Sequence, residues 1–347
     1  MDAKHILTIG IDYKVIHGGV AAVENVYSTF YKPFNHIATV VDYGKFRKLT
    51  TFFKAYIQFW YWMLFHKEIT IVHVHGASDA SFWRKRIFIN IAKLFNKKVI
   101  FHCHGAEFKR FSNQHKKSVS LTLKKCDCII ALSESWKAWF EEFFHHNNVI
   151  VVKNVINEPH ENKIKHDKFV LLFLGRLGKR KGIYDLLNVV TSHKFEFKDK
   201  LKLILGGDGD IDKIAEIIRK NELNDIVQYK GWVNGKDKID LLNYADAYIL
   251  PSYNEGLPIS ILEAMSYSLP IISTNVGGIP EILEQNKNGF IMNPGDKDSL
   301  YYAIHELMNK PDLCKYMGLS SRTKVKEHLP TYVEQKLSEI YLNILNI

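Results

Sequence analysis

The sequence predicts an α/β protein of two doubly wound domains, and three observations carry that expectation. At 347 residues the chain exceeds what one hydrophobic core usually spans, which argues for two domains of roughly 150 residues each. Short apolar runs of strand length alternate with helical patterns along the whole chain, the rhythm of a mostly parallel sheet covered on both faces. That rhythm stops once, at the polar stretch NEPHENKIKHDK of residues 157–168, and then restarts. The composition, 46% hydrophobic, 13% aromatic and 24% charged, excludes a disordered chain.

In order along the chain, residues 6–11 form an apolar strand that reaches a glycine turn at Gly18-Gly19, with a helical pattern from about Val20. Further strands are expected at 69–76 (ITIVHVHG), 98–105 (KVIFHCHG) and 126–133 (CDCIIALS). After the polar stretch, strands follow at 169–175, 201–207, 226–233, 247–252, 270–275 and 289–294, and residues 332–345 read as a last helix. The expected division is therefore 1–160, 161–330 and a C-terminal helix within 331–347 that packs back towards the first domain. Ligands of such folds bind beyond the carboxyl ends of the strands, so function is sought in those loops.

Charge is unevenly placed. The net charge is +10; residues 1–160 contain 22 Lys and Arg against 12 Asp and Glu, while residues 161–347 contain 25 of each. All of the excess lies in the first half, which points to an anionic surface or substrate handled there. The run FFKAYIQFWYWMLF, residues 52–65, falls short of the roughly 20 apolar residues that cross a bilayer. It reads equally as a core helix or a membrane-contacting one. Residues 81–98 carry Arg84, Lys85, Arg86, Lys93, Lys97 and Lys98 among Trp and Phe, with Lys109 nearby, the composition of a surface that meets anionic lipid. Cys103, Cys126, Cys128 and Cys314 show no CxxC pairing or zinc spacing, and no signal segment opens the sequence, so a reduced, cytoplasmic setting is expected.

The most informative stretch is PSYNEGLPISILEAMSYSLPIISTNVGGIPEI, residues 251–282. Glu255 is expected in the loop before a helix opening at about Pro258, and Glu263 inside its first turns, so both face one ligand at the helix N-terminus. Free N–H groups and the positive dipole end suit a diphosphate there. Gly256 permits close backbone approach, and Pro258 suits the first helical position. Gly277-Gly278 makes a second strand-end turn whose small residues leave room for a bound group. In LGRLGKRKGI, residues 174–183, Arg176 and Lys181 are placed to reach phosphate oxygens, whereas Lys179 and Arg180 read as solvated.

Together these residues resemble glycosyltransferase family 4, whose members have the two-lobed GT-B fold, two Rossmann-like domains facing across a cleft. The family's E-x7-E signature matches Glu255 and Glu263, its Arg and Lys pair matches Arg176 and Lys181, and its glycine turn matches Gly277-Gly278. In the first half, Gly18-Gly19-Val20 matches the family's glycine loop and His104 its strand-end histidine. The resemblance implies a retaining hexosyltransferase that takes a UDP- or GDP-linked sugar and needs no metal or other cofactor. Arg176 and Lys181 would hold the diphosphate, Glu263 the ribose, and Glu255 with the backbone of Gly256, Leu257 and Pro258 the sugar. Gly18 and Gly19 would approach the phosphates from the first domain. His104, by side chain or carbonyl, would lie beside the reacting sugar, with Glu107 near the acceptor. His73, His75 and His102 read as packing residues. The pair Asp208 and Asp210 in GGDGD, residues 206–210, reads as an ordinary glycine turn, not a metal site.

The expected acceptor is a glycan, lipid-linked and of the bacterial surface, met at the cytoplasmic face of the membrane. No nucleic-acid-binding module is recognised. A nucleotide-sugar epimerase of the same fold and a noncatalytic sugar-binding subunit are the alternatives.

Overall fold

The computed structural model describes residues 2–15, 18–41 and 44–345, the side chain of Lys45 excepted. The chain forms two compact units: Met1–Asn157 with Glu327–Ile347, and Glu158–Lys326.

In the first unit, strands β1 (Ile6–Gly10), β2 (His36–Ala38), β3 (Ile71–Gly76), β4 (Lys98–Cys103), β5 (Cys128–Ala131) and β6 (Val149–Val151) form one sheet in the order β2-β1-β3-β4-β5-β6. Every pairing is parallel. The strands β1, β3 and β5 are buried along their whole length, as helices on both faces require. The order reverses direction between β1 and β3, so the loops that follow those two strands flank the crevice of this sheet.

The second unit repeats the plan with β7 (Phe169–Leu174), β8 (Leu201–Gly206), β9 (Val227–Tyr229), β10 (Ala247–Leu250), β11 (Ile271–Thr274) and β12 (Gly289–Met292). The order is β12-β11-β10-β7-β8-β9, again all parallel. Here the reversal falls between β7 and β10, and the loops after these neighbours carry Arg176, Lys181 and Glu255.

The structure shortens several expected strands at their carboxyl ends. Residues 104–105, 132–133 and 251–252 lie beyond the last strand residue, because the ladder pairings end at Cys103, Ala131 and Leu250. The strand read at 226–233 narrows to Val227–Tyr229, and Gly231 follows at φ +73°, which ends the extended backbone. Strands β2 and β6 have three residues each and went unread, being too short to show alternation.

Three helices of the first unit matter below: α1 (Gly19–Phe30), α2 (Lys45–Phe65) and α3 (Asp79–Leu94). Helix α2 begins well before the aromatic run. Ala55, Phe59 and Met63 recur every four residues and are buried against the sheet, a helical core stripe. The other face of α2 is apolar too, and exposed. Phe46, Leu49, Phe53, Ile57, Tyr61, Leu64 and Phe65 all show more than half of their surface, so the run read as core or membrane-facing is core on one face only. The helix Pro330–Leu345 belongs to this unit, with the Tyr341 hydroxyl 3.2 Å from that of Tyr31 on the loop after α1.

Candidate functional site

In the second unit the loop after β7 runs through a turn at Lys179–Lys181 and packs against the loop after β10. Gly182 has φ +72°, and a Cβ there would strike the Pro251 carbonyl, so only glycine lets the two loops touch. The Tyr253 N–H donates to the Arg180 carbonyl at 2.8 Å, and the Arg180 guanidinium donates to the Asn254 carbonyl at 2.9 Å. Arg180, expected to be solvated, is exposed and also anchors this loop pair, with its guanidinium 3.9 Å from Glu255.

This packing buries Glu255. Its Oε1 accepts from the Lys181 ammonium at 2.5 Å and from the Ser252 hydroxyl at 2.7 Å. The other oxygen, Oε2, takes no hydrogen bond from a described residue. Arg176, two residues past β7, is exposed and makes no side-chain hydrogen bond or ion pair with any described residue. Two cations thus stand where β7 ends, one held and one open.

The helix Ile259–Ser266 starts one residue later than expected. Pro258 is its N-cap, in extended conformation at φ −71° and ψ 120°, because a proline that packs the loop inward takes the extended ψ and leaves the helical turn to Ile259. No side chain caps this end, so the first helical N–H groups have no side-chain acceptor. Glu263 lies in the second turn, and its Oε1 meets the Lys238 ammonium at 2.5 Å. Lys238 comes from the helix Gly235–Tyr244, and no spacing around the signature announces it.

Gly277 and Gly278 do not leave room for a ligand as expected. A Cβ on Gly277, at φ +57°, would strike the Glu255 carbonyl, and the Gly278 N–H donates to the Gly256 carbonyl at 2.5 Å. The space is filled by the backbone of residues 255–256, and the glycine turn serves to position that loop. In the GGDGD turn, Asp210 accepts from the Tyr184 hydroxyl at 2.5 Å.

In the first unit Gly18, at φ +91°, is the N-cap of α1, and Gly18 and Gly19 are exposed. His104 follows β4. Four imidazoles cover one face of this sheet, since His73 and His75 alternate along β3 and His102 and His104 along β4 and its extension. His73 Nε2 lies 3.2 Å from His102 Nδ1, His75 Nδ1 lies 2.9 Å from His104 Nε2, and His73 Nδ1 lies 2.7 Å from the Tyr341 hydroxyl. Burial lowers the pKa of His73 to about 3 and that of His104 to about 4, the latter partly offset by a hydrogen bond with Asn154. All four rings are neutral near pH 7.

The ring nitrogens of His73, His75 and His102 lie within 4.8 Å of one another, the one such grouping among the described residues. Yet the His73 and His102 planes are 6° apart, and His73 and His75 stack at 28° with centroids 4.5 Å apart. Stacked faces point their lone pairs alongside one another, and an ion needs them to converge. Glu107, near His104 in sequence, accepts from the Arg110 guanidinium at 2.8 Å.

Two family models match. Residues 154–324 match Glycosyl transferases group 1, and residues 10–158 match Glycosyltransferase Family 4. An uncharacterized 41.2 kDa protein of the Klebsiella pneumoniae cps region is 27% identical over 78% of this chain and 79% of its own length. The amylovoran biosynthesis glycosyltransferase AmsK of Erwinia amylovora is 25% identical over 72% of this chain and 64% of its own. Among solved structures, that of Anabaena HepE in complex with UDP and glucose superposes with a TM-score of 0.74 at 14% identity, over 97% of this chain and 99% of that one. The last likeness shows the fold, which is GT-B.

Proposed function

Because the chain belongs to glycosyltransferase family 4, the group 1 glycosyltransferases, we propose that it moves a hexose-type sugar, with retention, from a nucleoside diphosphate to a hydroxyl of a growing surface polysaccharide. The observation that carries this reading is the strand-end cluster of the second unit. There Lys181 and Arg176 supply positive charge, the helix Ile259–Ser266 presents an uncapped N-terminus, and two carboxylates each keep one oxygen free of a hydrogen bond.

The roles follow from what each group has left to give. One Lys181 N–H is engaged by Glu255; two remain for phosphate oxygens. Arg176 offers its guanidinium fork. With Lys238 on Oε1, Glu263 keeps Oε2 for the ribose hydroxyls, and Glu255 Oε2 with the backbone of Gly256, Leu257 and Pro258 meets the sugar. Gly18 and Gly19 supply the first unit's backbone approach. His104 acts through its carbonyl, since its ring is engaged by His75 and Asn154.

In the reaction the bond from the anomeric carbon to the phosphate oxygen breaks, and an acceptor hydroxyl bonds the same face of that carbon. The acceptor proton passes to the departing phosphate. Negative charge grows on the diphosphate as the bond breaks, and fixed cations there lower the barrier without reorganising. This reading requires no metal and no protein base. The donor assignment is supported by the UDP and glucose of the HepE complex, and the polysaccharide by amylovoran biosynthesis in AmsK.

The enzyme is further read as peripheral on the inner membrane face, meeting a lipid-linked acceptor. No helix among the described residues is long and apolar enough to cross a membrane. Helix α2 instead carries Phe53, Ile57 and Tyr61 outward, contains no acidic residue, and has Arg47, Lys48 and Lys54 alongside. An apolar stripe edged by cations suits an anionic bilayer surface.

Thermal melts with UDP- and GDP-sugars test the reading. One donor is expected to raise the melting temperature of the wild type and leave Glu263→Ala unmoved. An equal rise in that variant would overturn the site assignment.

A further inference from the structure

The last peptide of β1, between Gly10 and Ile11, is gripped by two buried charges. Lys85, on α3 and 1% exposed, donates to the Gly10 carbonyl at 2.5 Å and to the Thr39 hydroxyl at 2.6 Å. Thr39 passes the contact on, since its hydroxyl and N–H both donate to the same carbonyl at 2.8 and 3.1 Å. On the other side of that peptide, the Ile11 N–H donates to Glu24 Oε2 at 3.0 Å. Glu24, on α1 and fully buried, is held in turn by His36 Nε2 at 2.8 Å. A Cβ at Gly10 would occupy the place of the Glu24 carboxylate, so the grip requires glycine there.

The location gives the grip its meaning. Ile11 follows β1, Gly18 is the N-cap of α1, and Glu24 sits one turn into that helix. Its carboxylate therefore ties the end of β1 to α1, while Lys85 fixes the same peptide from a third element. Desolvating a lysine is costly, and an apolar side chain of that length fills the same space without the penalty. A charge kept under those conditions orients what it touches. The expected surface cation of residues 81–98 is thus an interior one.

We infer that Lys85 and Glu24 are positioning residues, holding the 10–11 peptide so that the backbone at Gly18 and Gly19 meets the donor phosphates in register. The inference rests on the reading of that glycine loop given under Proposed function. Burial also lowers the Lys85 pKa to about 7, with Glu24 opposing the shift and Arg84 adding to it. The groups around the ammonium are Glu24 on α1, Arg84 on α3, His36 on β2 behind Glu24, and His75 on β3, itself neutral. The grip is therefore charge-assisted only while Lys85 keeps its proton.

Sugar transfer is measured from pH 6 to 9 for the wild type, Lys85→Met, Glu24→Gln and Gly19→Asp, with a thermal melt of each. Gly19→Asp sets a carboxylate at the loop, and retained activity there overturns the loop reading itself. If Gly19→Asp is inactive, Lys85→Met is expected to lose ten- to a hundred-fold in kcat/KM at pH 6 without a lower melting temperature, the scale of a small misplacement. The wild-type rate is expected to fall as pH rises through the Lys85 titration, a limb absent from Lys85→Met. Glu24→Gln is expected to move that limb to lower pH, which a purely structural role would not do and which remains readable if Lys85→Met fails to fold. Unchanged kcat/KM in a folded Lys85→Met, or an unmoved limb in Glu24→Gln, would overturn the inference.

Discussion

The two units wind their sheets alike and place their ionisable groups differently. In the second, Lys181 with Glu255 and Lys238 with Glu263 stand at the strand ends, each carboxylate oxygen that bonds a lysine leaving its twin available. In the first, Glu24 and Lys85 lie inside, and four neutral imidazoles, that of His104 among them, stack across the sheet. A charge at the rim can bind a charged ligand directly; one beneath it can only hold backbone. The comparison sets side-chain charge at the strand ends of the second unit against a main chain held from within in the first.

The largest effect expected from that contrast is at Lys181. Replacing it with Met removes the proposed diphosphate partner and leaves Glu255 buried without the ammonium it bonds, at a cost on the order of 3 kcal/mol and an expected loss of about a thousand-fold in turnover. Chemical denaturation and a transfer assay measure the two; a stable, active variant would break the comparison on its rim side.

The buried side is tested by acid. A His73 pKa of about 3 in the fold, against an ordinary value of 6.5, means that the unfolded chain binds protons first as the pH falls. His73 therefore contributes stability that is whole above about pH 6.5 and drains away between there and pH 3. His73→Phe is expected to flatten the fall in denaturation midpoint over that range, by up to a few kcal/mol. Lys85 works on the alkaline side. Lowered from 10.5 to about 7, it makes stability rise from pH 7 towards 10.5, and Lys85→Met is expected to remove that rise.

Smaller effects sharpen the contrast. Ile57→Glu, on the exposed face of α2, is expected to change stability by less than about 0.5 kcal/mol while abolishing cosedimentation with anionic vesicles at moderate salt; retained binding would place the membrane contact elsewhere. His104→Ala keeps the carbonyl and is expected to cost less than about ten-fold in kcat, below the 10²- to 10⁴-fold of a proton-transferring side chain. A larger loss would return the role to the imidazole.

Much of this was legible in the sequence where the information is local. The strand at 169–175, the turn at Lys181 and the glutamates at 255 and 263 lie on segments whose periodicity and spacing are intrinsic. The site was less legible where it depends on partners far away. Ser252 was inside the quoted stretch, but its bond to Glu255 needed the loop conformation. Lys238 lies 25 residues before Glu263, on another helix, and nothing in its own segment marks it. Lys85 read as a surface cation because its neighbours Arg84 and Arg86 are basic; only the packing of α3 on β3 and β4 turns it inward, its ammonium reaching the end of β1.

By itself, then, the sequence determined the alternation of strands and helices, the break at the polar stretch, and which residue types stand at which strand end. Apolar period, glycine and charge act within a few residues of chain, and no distant contact is needed to express them. The tertiary structure alone decided which ionisable groups meet water and which meet a peptide, that the ring of His104 is engaged, that α2 is apolar on both faces with one left bare, and that Gly277 packs against the Glu255 loop. Burial is a property of what covers a residue, and each of these covers comes from a segment remote in the chain.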